Sequence, residues 1–239
     1  MSRSTERDSK GRLWLPADEI ERQIEAELRV AGLYPQADKP VVDLESFVEK
    51  HLHVRVDGYA DLPADVLGLT EFYPQGKPRI FINRDLTEEA MDRADSPTWL
   101  KGRWRSTMAH EASHVLFHQV LFSRNPAQGQ LPDFEVEAPP DRQRCLKRDV
   151  QFGGRNSDWR EVQANKGMAA LLMPRALFCA VCTAELGVQR AAEGLEKGNP
   201  EVAALVTALT ERFQVSRQAV SIRLDTLGIV RPAGLGRLL

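Results

Sequence analysis

Residues 108–120 read MAHEASHVLFHQV and contain the motif His110-Glu111-Ala112-Ser113-His114. Apolar residues surround the two histidines, and the pair Ser96-Pro97 upstream is typical of a helix start. The stretch therefore predicts the middle of a long, buried helix. Histidines four positions apart lie on one face of such a helix, about 40° apart and one turn from each other.

Two imidazoles in this arrangement can bind one Zn²⁺ at about 2.0–2.1 Å. Glu111 lies beside them, where its carboxylate can take a proton from a water that the metal activates. The motif therefore predicts a hydrolytic zinc site directed at a peptide carbonyl, with His110 and His114 as ligands and Glu111 as general base. The alternative is a surface helix with two solvated histidines, which the apolar neighbours Val115 and Phe117 disfavour.

A catalytic zinc needs a third protein ligand. A histidine six positions after the second one would provide it in the metzincin pattern, but Val120 occupies that position. His118 lies two helical turns beyond His110, about 12 Å along the axis, which is too far to share a metal with it. Glu161 is favoured because a predicted helix at 158–173 would hold it rigidly. The residues alone leave the choice open among His118, Asp133, Glu135, Glu137, Asp149, Asp158 and Glu161.

A second segment accompanies the histidine motif: Glu161 follows His114 by 47 residues, within WREVQANKGMAALLMP at 159–174. Together the two segments resemble the ImmA/IrrE family of zinc metallopeptidases, over roughly residues 18–230. The resemblance implies that Glu161 is the third zinc ligand. It also implies a gluzincin-like α+β fold, in which a small antiparallel sheet packs on the HExxH helix. Two features depart from the family pattern: Ser113 replaces a common glycine, and residues 124–157 form a longer insertion.

The same resemblance implies a function in transcription regulation. A protein of the ImmA/IrrE family is expected to perform regulated, site-specific cleavage of a protein partner, typically a helix-turn-helix repressor in bacteria or their mobile elements. Within the site, Asn165 lies one turn after Glu161 and could orient a ligand by a hydrogen bond; the alternative is an amide on the helix surface. His118 is expected behind the ligands, on the substrate side, or simply packed in the core.

The segments before the motif predict helices at 16–32 and 42–52 and strands at 53–57, 67–73 and 79–83. The turn residues at 74–78 predict a hairpin between the last two strands. A hypothesis from the order of these elements places the strand at 79–83 at a sheet edge near the metal, where an extended substrate could pair with it. Residues 124–157 are predicted to form a long loop or lid.

The C-terminal segment predicts a helix, a turn and a second helix over 202–229, a pattern that resembles DNA-binding helix-turn-helix proteins. Arg217, Gln218 and Arg223 are its candidate DNA contacts. Residues 201–239 carry five arginines and three acids, a charge of only +2, so DNA is possible but is not expected to be the primary partner. This pattern supports an alternative function: a non-proteolytic or DNA-binding regulator with a structural or vestigial zinc site.

The composition limits the remaining classes. The 239 residues are 42% hydrophobic and 28% charged, which excludes wholesale disorder and a fibrous repeat. A net charge of −2 does not indicate a nucleic-acid or membrane partner. The sequence predicts a cytoplasmic protein with a flexible tail at 1–15, a metallopeptidase domain at 16–185 and a helical segment at 186–239. Its three cysteines, Cys145, Cys179 and Cys182, predict core packing, with a redox switch or a second metal site as the alternatives for the CxxC pair.

Overall fold

The computed structural model describes residues 15–73, 76–122, 141–146 and 159–232, with the backbone alone for 141–146. These residues form eight α-helices, two π-helical turns and six strands. The helices are α1 (Ala17–Val30), α2 (Arg84–Thr87), α3 (Thr98–Phe122), α4 (Trp159–Leu172), α5 (Arg175–Leu186), α6 (Val188–Glu193), α7 (Pro200–Phe213) and α8 (Arg217–Thr226). The π-helical turns are Ser46–His51 and Glu88–Asp92.

Four strands form one sheet, in the order β1 (Arg55–Ala60), β3 (Arg79–Asn83), β2 (Val66–Phe72) and β4 (Asp141–Leu146). β1 runs parallel to β3, whereas β2 runs antiparallel to both β3 and β4. The α+β class is therefore confirmed, but the expectation of an antiparallel sheet is wrong, because β1 and β3 run in the same direction. The short strands β5 (Leu195–Glu196) and β6 (Val230–Arg231) form a separate parallel pair.

The expected position of strand 79–83 at the sheet edge is also wrong. This strand, β3, lies between β1 and β2 and pairs with both. The outer side of β2 is covered by β4, a strand that the sequence did not predict within the expected loop at 124–157. The rest of that loop, at 124–140 and 147–157, lies outside the described residues.

Helix α3 carries the histidine motif through the centre of the molecule. It packs against β2 on one side and against α4 on another. Most of its residues from Ser106 to His118 are buried, so the helix is enclosed rather than amphipathic. This environment excludes the alternative of two solvated histidines on a surface helix.

The core is continuous from α1 to α8. Ile20, Ile24 and Leu28 of α1 belong to the same buried cluster as Phe213 of α7 and Leu224 of α8. Leu15, which was assigned to the flexible tail, is also buried in this cluster, while the remaining tail residues 1–14 lie outside the described part.

Among the described residues no single helix has the length and apolar composition to cross a bilayer, although α4 and α5, bent by 51° at their junction, meet that test together.

Helices α7 and α8 form the predicted helix-turn-helix, joined at Gln214, which adopts a left-handed conformation. Arg223 of α8 is only 3% exposed. Its guanidinium forms a two-pronged ion pair with Glu21 of α1 and donates to the backbone oxygen of Met173. The expectation that Arg223 contacts DNA is therefore wrong, since the side chain holds α8 against α1. Arg217 and Gln218 are exposed on the first turn of α8.

Candidate metal centre

Three side chains from two helices converge beneath the sheet. The Nε2 atoms of His110 and His114, one turn apart on α3, lie 3.0 Å from each other. Glu161, in the first turn of α4, places Oε2 3.1 Å from His110 Nε2 and Oε1 3.3 Å from His114 Nε2. Both histidines are fully buried, and the Glu161 side chain is 13% exposed. This group could hold a metal ion.

The spacing of these atoms matches a tetrahedral metal site. Four ligands at about 2.0–2.1 Å from a zinc ion lie about 3.3–3.4 Å from one another. Two of the observed separations, 3.0 Å between the Nε2 atoms and 3.1 Å from His110 to Oε2 of Glu161, are slightly shorter than that, and the third, 3.3 Å from His114 to Oε1 of Glu161, equals it. Two imidazoles and one carboxylate form a ligand set found in catalytic zinc sites, which leave a fourth position for water or substrate. The donor set and its spacing therefore fit Zn²⁺ without a rearrangement of the helices.

Asn165 orients the first histidine. Its Oδ1 lies 3.1 Å from Nδ1 of His110. A carbonyl oxygen can only accept, so Nδ1 of His110 carries a proton and donates it. In the neutral ring the lone pair is then on Nε2, the atom that faces Glu161 and His114. Asn165 therefore makes the predicted hydrogen bond, as the acceptor, to His110, one of the expected ligands.

His118 and Gln163 orient the second histidine through a chain of hydrogen bonds. Gln163 Oε1 lies 3.1 Å from His118 Nε2, so this nitrogen is the donor. Burial lowers the pKa of His118 to about 3, with a further contribution from His114, and the ring is therefore neutral. Its Nδ1, 3.0 Å from Nδ1 of His114, must then accept a proton from His114. The lone pair of His114 is therefore also on Nε2, facing the centre.

The charge state of Glu161 suits a metal ligand. Burial raises its pKa, but the neighbouring rings of His110 and His114 outweigh burial and hold the pKa well below its ordinary value. Burial by itself would lower the pKa of His110, yet the hydrogen bond to Glu161 and the charge of Glu111 raise it. A proton and a metal ion therefore compete for Nε2 of His110, so metal binding releases a proton.

Glu111 lies on the sheet side of α3, next to β2. Thr70 Oγ1 donates to its Oε2 over 2.5 Å. Its Oε1 is buried and has no hydrogen-bond partner among the described residues. Burial raises the pKa of Glu111 to about 8, and a cation bound between His110 and His114 would lower it again. The site therefore contains one fixed carboxylate oxygen and one that is free to accept a proton.

A glycine sets the distance between the two helices. A Cβ at Gly167 of α4 would lie 2.5 Å from Phe117 Cε2 and 2.6 Å from Ser113 Oγ, which is closer than real contacts allow. Ser113, the residue that departs from the family pattern, therefore faces Gly167 across the α3–α4 contact. This close approach brings Glu161 within reach of the two histidines.

Sequence reasoning placed all six candidate residues in one region: His110, Glu111, His114 and Glu161, with Asn165 and His118 behind the histidines. It missed Gln163 and Thr70. Gln163 stands two positions after Glu161 and carried no signal of its own, and Thr70 comes from a strand 41 residues before Glu111. The other candidate third ligands at 133, 135, 137, 149 and 158 lie outside the described residues.

The two cysteines whose side chains are described lie away from this centre, on α5. Cys182 is buried and Cys179 partly buried, and both are free thiols. Burial raises the pKa of both, that of Cys182 to about 12. Thiols in this state react slowly, as the prediction of core packing requires.

Comparison of the sequence with models of known protein families and with curated proteins gives no match. Function must therefore be inferred from the geometry of this centre and from the residues that form it.

Proposed function

We propose that this protein is a zinc-dependent endopeptidase that cleaves a protein partner at a specific site, and that it is related to the ImmA/IrrE metallopeptidases. One observation carries the proposal: the Nε2 atoms of His110 and His114 and the carboxylate oxygens of Glu161 converge with separations of 3.0–3.3 Å beside a buried Glu111. A gluzincin-like fold is also part of the proposal, since the motif helix packs between a small sheet and the helix that supplies the third ligand.

A Zn²⁺ in this centre would lower the pKa of water toward 7 and polarise a peptide carbonyl. The chain itself supplies the proton acceptor. Thr70 fixes Oε2 of Glu111, so the carboxylate cannot rotate freely and Oε1 remains the accepting atom. Glu111 would take a proton at Oε1 from the attacking water and later deliver it to the leaving amine nitrogen.

The other residues keep the centre in this geometry. Asn165 and the His118–Gln163 pair hold the rings of His110 and His114 with Nε2 turned inward. His110, Glu111 and His114 expose none of their surface and Glu161 only 13%, so access to the centre is narrow. An enclosed site of this kind suits a narrow substrate range. The resemblance in the sequence favours a helix-turn-helix repressor as that substrate.

The test is Glu111→Gln, which removes the proton acceptor and leaves all three metal ligands in place. We expect this variant to retain its metal and to lose cleavage. Wild type and variant would be produced in a bacterial host together with the candidate repressor, and new protein N-termini would be identified by terminal labelling and mass spectrometry. Glu27→Gln is the matched control, because Glu27 is a partly exposed carboxylate that pairs with His51 and not with the residues of the centre.

New N-termini that appear with the wild type and the control but not with Glu111→Gln would support proteolysis. Proteolysis by this protein would be contradicted if the wild type, Glu27→Gln and Glu111→Gln all gave the same new N-termini. It would also be contradicted if the repressor were degraded without a new N-terminus that depends on the wild type.

The α7–α8 arrangement favours a second function, that of a non-proteolytic regulator that binds DNA. Its turn is three residues long, and Arg217 and Gln218 are exposed at the start of α8. The readout is transcription of the genes that the candidate repressor controls. If this transcription is unchanged in Glu111→Gln but is lost when Arg217 and Gln218 are both replaced by Ala, the DNA-binding function replaces the peptidase function.

A further inference from the structure

The outer side of β2 would be a free sheet edge without β4. An uncovered edge presents a row of backbone N–H and C=O groups to any extended segment. Here Asp141–Leu146 covers it, antiparallel to β2, with Gln143 opposite Thr70 and Cys145 opposite Gly68. β4 belongs to the 124–157 insertion, the part of the sequence that departs most in length from the family pattern.

The strand that β4 covers is also the one that contacts the candidate catalytic carboxylate. Thr70 of β2 donates to Glu111 Oε2. At Gly68 the backbone of β2 lies so close that an added Cβ would be 2.8 Å from Glu111 Oε1. The edge filled by β4 is therefore the sheet edge next to the unpaired oxygen of Glu111.

We propose that β4 occupies, from within the chain, the position in which an extended substrate segment would pair with β2, so that a substrate must displace β4 before cleavage. This inference rests on the proposed function only for its last step, the cleavage. Edge pairing is a common mode of peptide binding, in which backbone hydrogen bonds provide the affinity. β4 provides the same hydrogen bonds in advance.

Competition from within the chain has a quantitative consequence. A tethered segment acts at an effective concentration of the order of millimolar. A separate peptide of similar pairing strength therefore loses to β4 at micromolar concentration. Only a partner that also binds elsewhere on the protein, or pairs more strongly with β2, would open the site. The complete burial of His110, Glu111 and His114 is consistent with this closed arrangement.

The first test uses the intact wild-type chain, free of metal, and measures hydrogen–deuterium exchange by mass spectrometry. If β4 is in place, successive amides of β2 are protected alike, because one set bonds to β3 and the other to β4. If alternate amides of β2 exchange about tenfold or more faster than their neighbours, the edge is open and the proposal is overturned. This measurement does not depend on any variant.

The second test replaces residues 141–146 by an equal length of Gly and Ser. The matched control makes the same replacement at 126–131, in the same connection between α3 and α4 but outside β4. We expect β2 to lose protection about tenfold or more in the first variant only. The peptide DRQRSL, which is β4 with Ser for Cys145, is then added at about 1–5 mM. It should restore protection in the β4 variant and leave the wild type unchanged. If the peptide changed the protection of β2 equally in the β4 variant and in the wild type, the proposal would be overturned.

Cleavage of fluorescein-labelled casein by the zinc-loaded proteins separates the two proposals. If β2 is unprotected in the β4 variant and this variant cleaves casein at least about tenfold faster than the wild type, both the peptidase function and the role of β4 are supported. An open β2 that rebinds the peptide without any cleavage supports the pairing of β4 and counts against the peptidase. Measurable casein cleavage at the same rate by the β4 variant and the wild type overturns the role of β4 as a competitor of substrate.

Discussion

Gly167→Ala tests how closely α3 and α4 must approach to build the metal centre. The new Cβ would lie 2.5 Å from Phe117 Cε2 and 2.6 and 2.8 Å from Oγ and Cβ of Ser113, whereas ordinary contact begins at 3.4 Å. The two helices must therefore separate locally by about 0.6–0.9 Å. Glu161 lies less than two turns away on α4, so the carboxylate moves away from His110 and His114.

The expected effect on stability is small, and the effect on metal binding is large. Overpacking costs about 1–3 kcal/mol, while alanine recovers about 1 kcal/mol of helix propensity over glycine. The free energy of unfolding should fall by about 0–2 kcal/mol. Metal ligands tolerate an error of only about 0.2 Å, so we expect zinc affinity to fall by about 10–100-fold. Competition with a chromophoric chelator at neutral pH measures this affinity.

Ser113→Gly provides the compensating change. In Ser113→Gly/Gly167→Ala both contacts with Ser113 are gone, and only the edge of the Phe117 ring remains to be displaced. Zinc affinity should return to within about fivefold of the wild type, which is a coupling energy of at least about 0.4–1.8 kcal/mol between the two positions. If Gly167→Ala bound zinc as tightly as the wild type, or if the double variant lost the sum of the two single losses in zinc binding free energy, the centre would not depend on the close approach of α3 and α4 at Gly167.

Three further predictions address the surroundings of the centre. Asn165→Ala should lower zinc affinity by about 10–100-fold in the same titration, because an orienting acceptor is lost, whereas Lys166→Ala on the exposed side should not change it. Arg223→Met leaves the Glu21 carboxylate unpaired and should reduce the free energy of unfolding in urea by about 3 kcal/mol; a loss below about 1 kcal/mol would contradict the buried ion pair. Cys182, whose pKa burial raises to about 12, should react with iodoacetamide far more slowly than free cysteine near pH 8, and rapid labelling in peptide mapping would contradict its burial.

The local parts of the centre could be predicted from the sequence. A spacing of four residues determines that His110 and His114 share a helix face, and the same spacing relates Glu161 to Asn165. Each of these inferences needs only a helix and its period. The identity of the third ligand needed more, since spacing left seven candidates and the family resemblance favoured one.

The long-range contacts could not be predicted, because they leave no periodic signal. β4 pairs with β2 from about 70 residues away, and its sequence DRQRCL has four polar residues at its start and no alternation of apolar side chains. Arg223 was interpreted as a DNA contact because of its helix. Its ion pair with Glu21, 202 positions away, can be recognised only once the chain is folded. The strand order, which places β3 inside the sheet, likewise depends on which strands pair across the whole chain.

The central claim is that His110, His114 and Glu161 together bind one zinc ion, and metal content tests it most directly. Protein purified without a metal-affinity tag would be analysed by plasma mass spectrometry as the wild type, His114→Ala, Glu161→Ala and the control His51→Ala. We expect about one zinc per chain in the wild type and the control, and little in the two ligand variants. No bound metal in the wild type, or zinc retained in Glu161→Ala, would contradict the three-ligand centre.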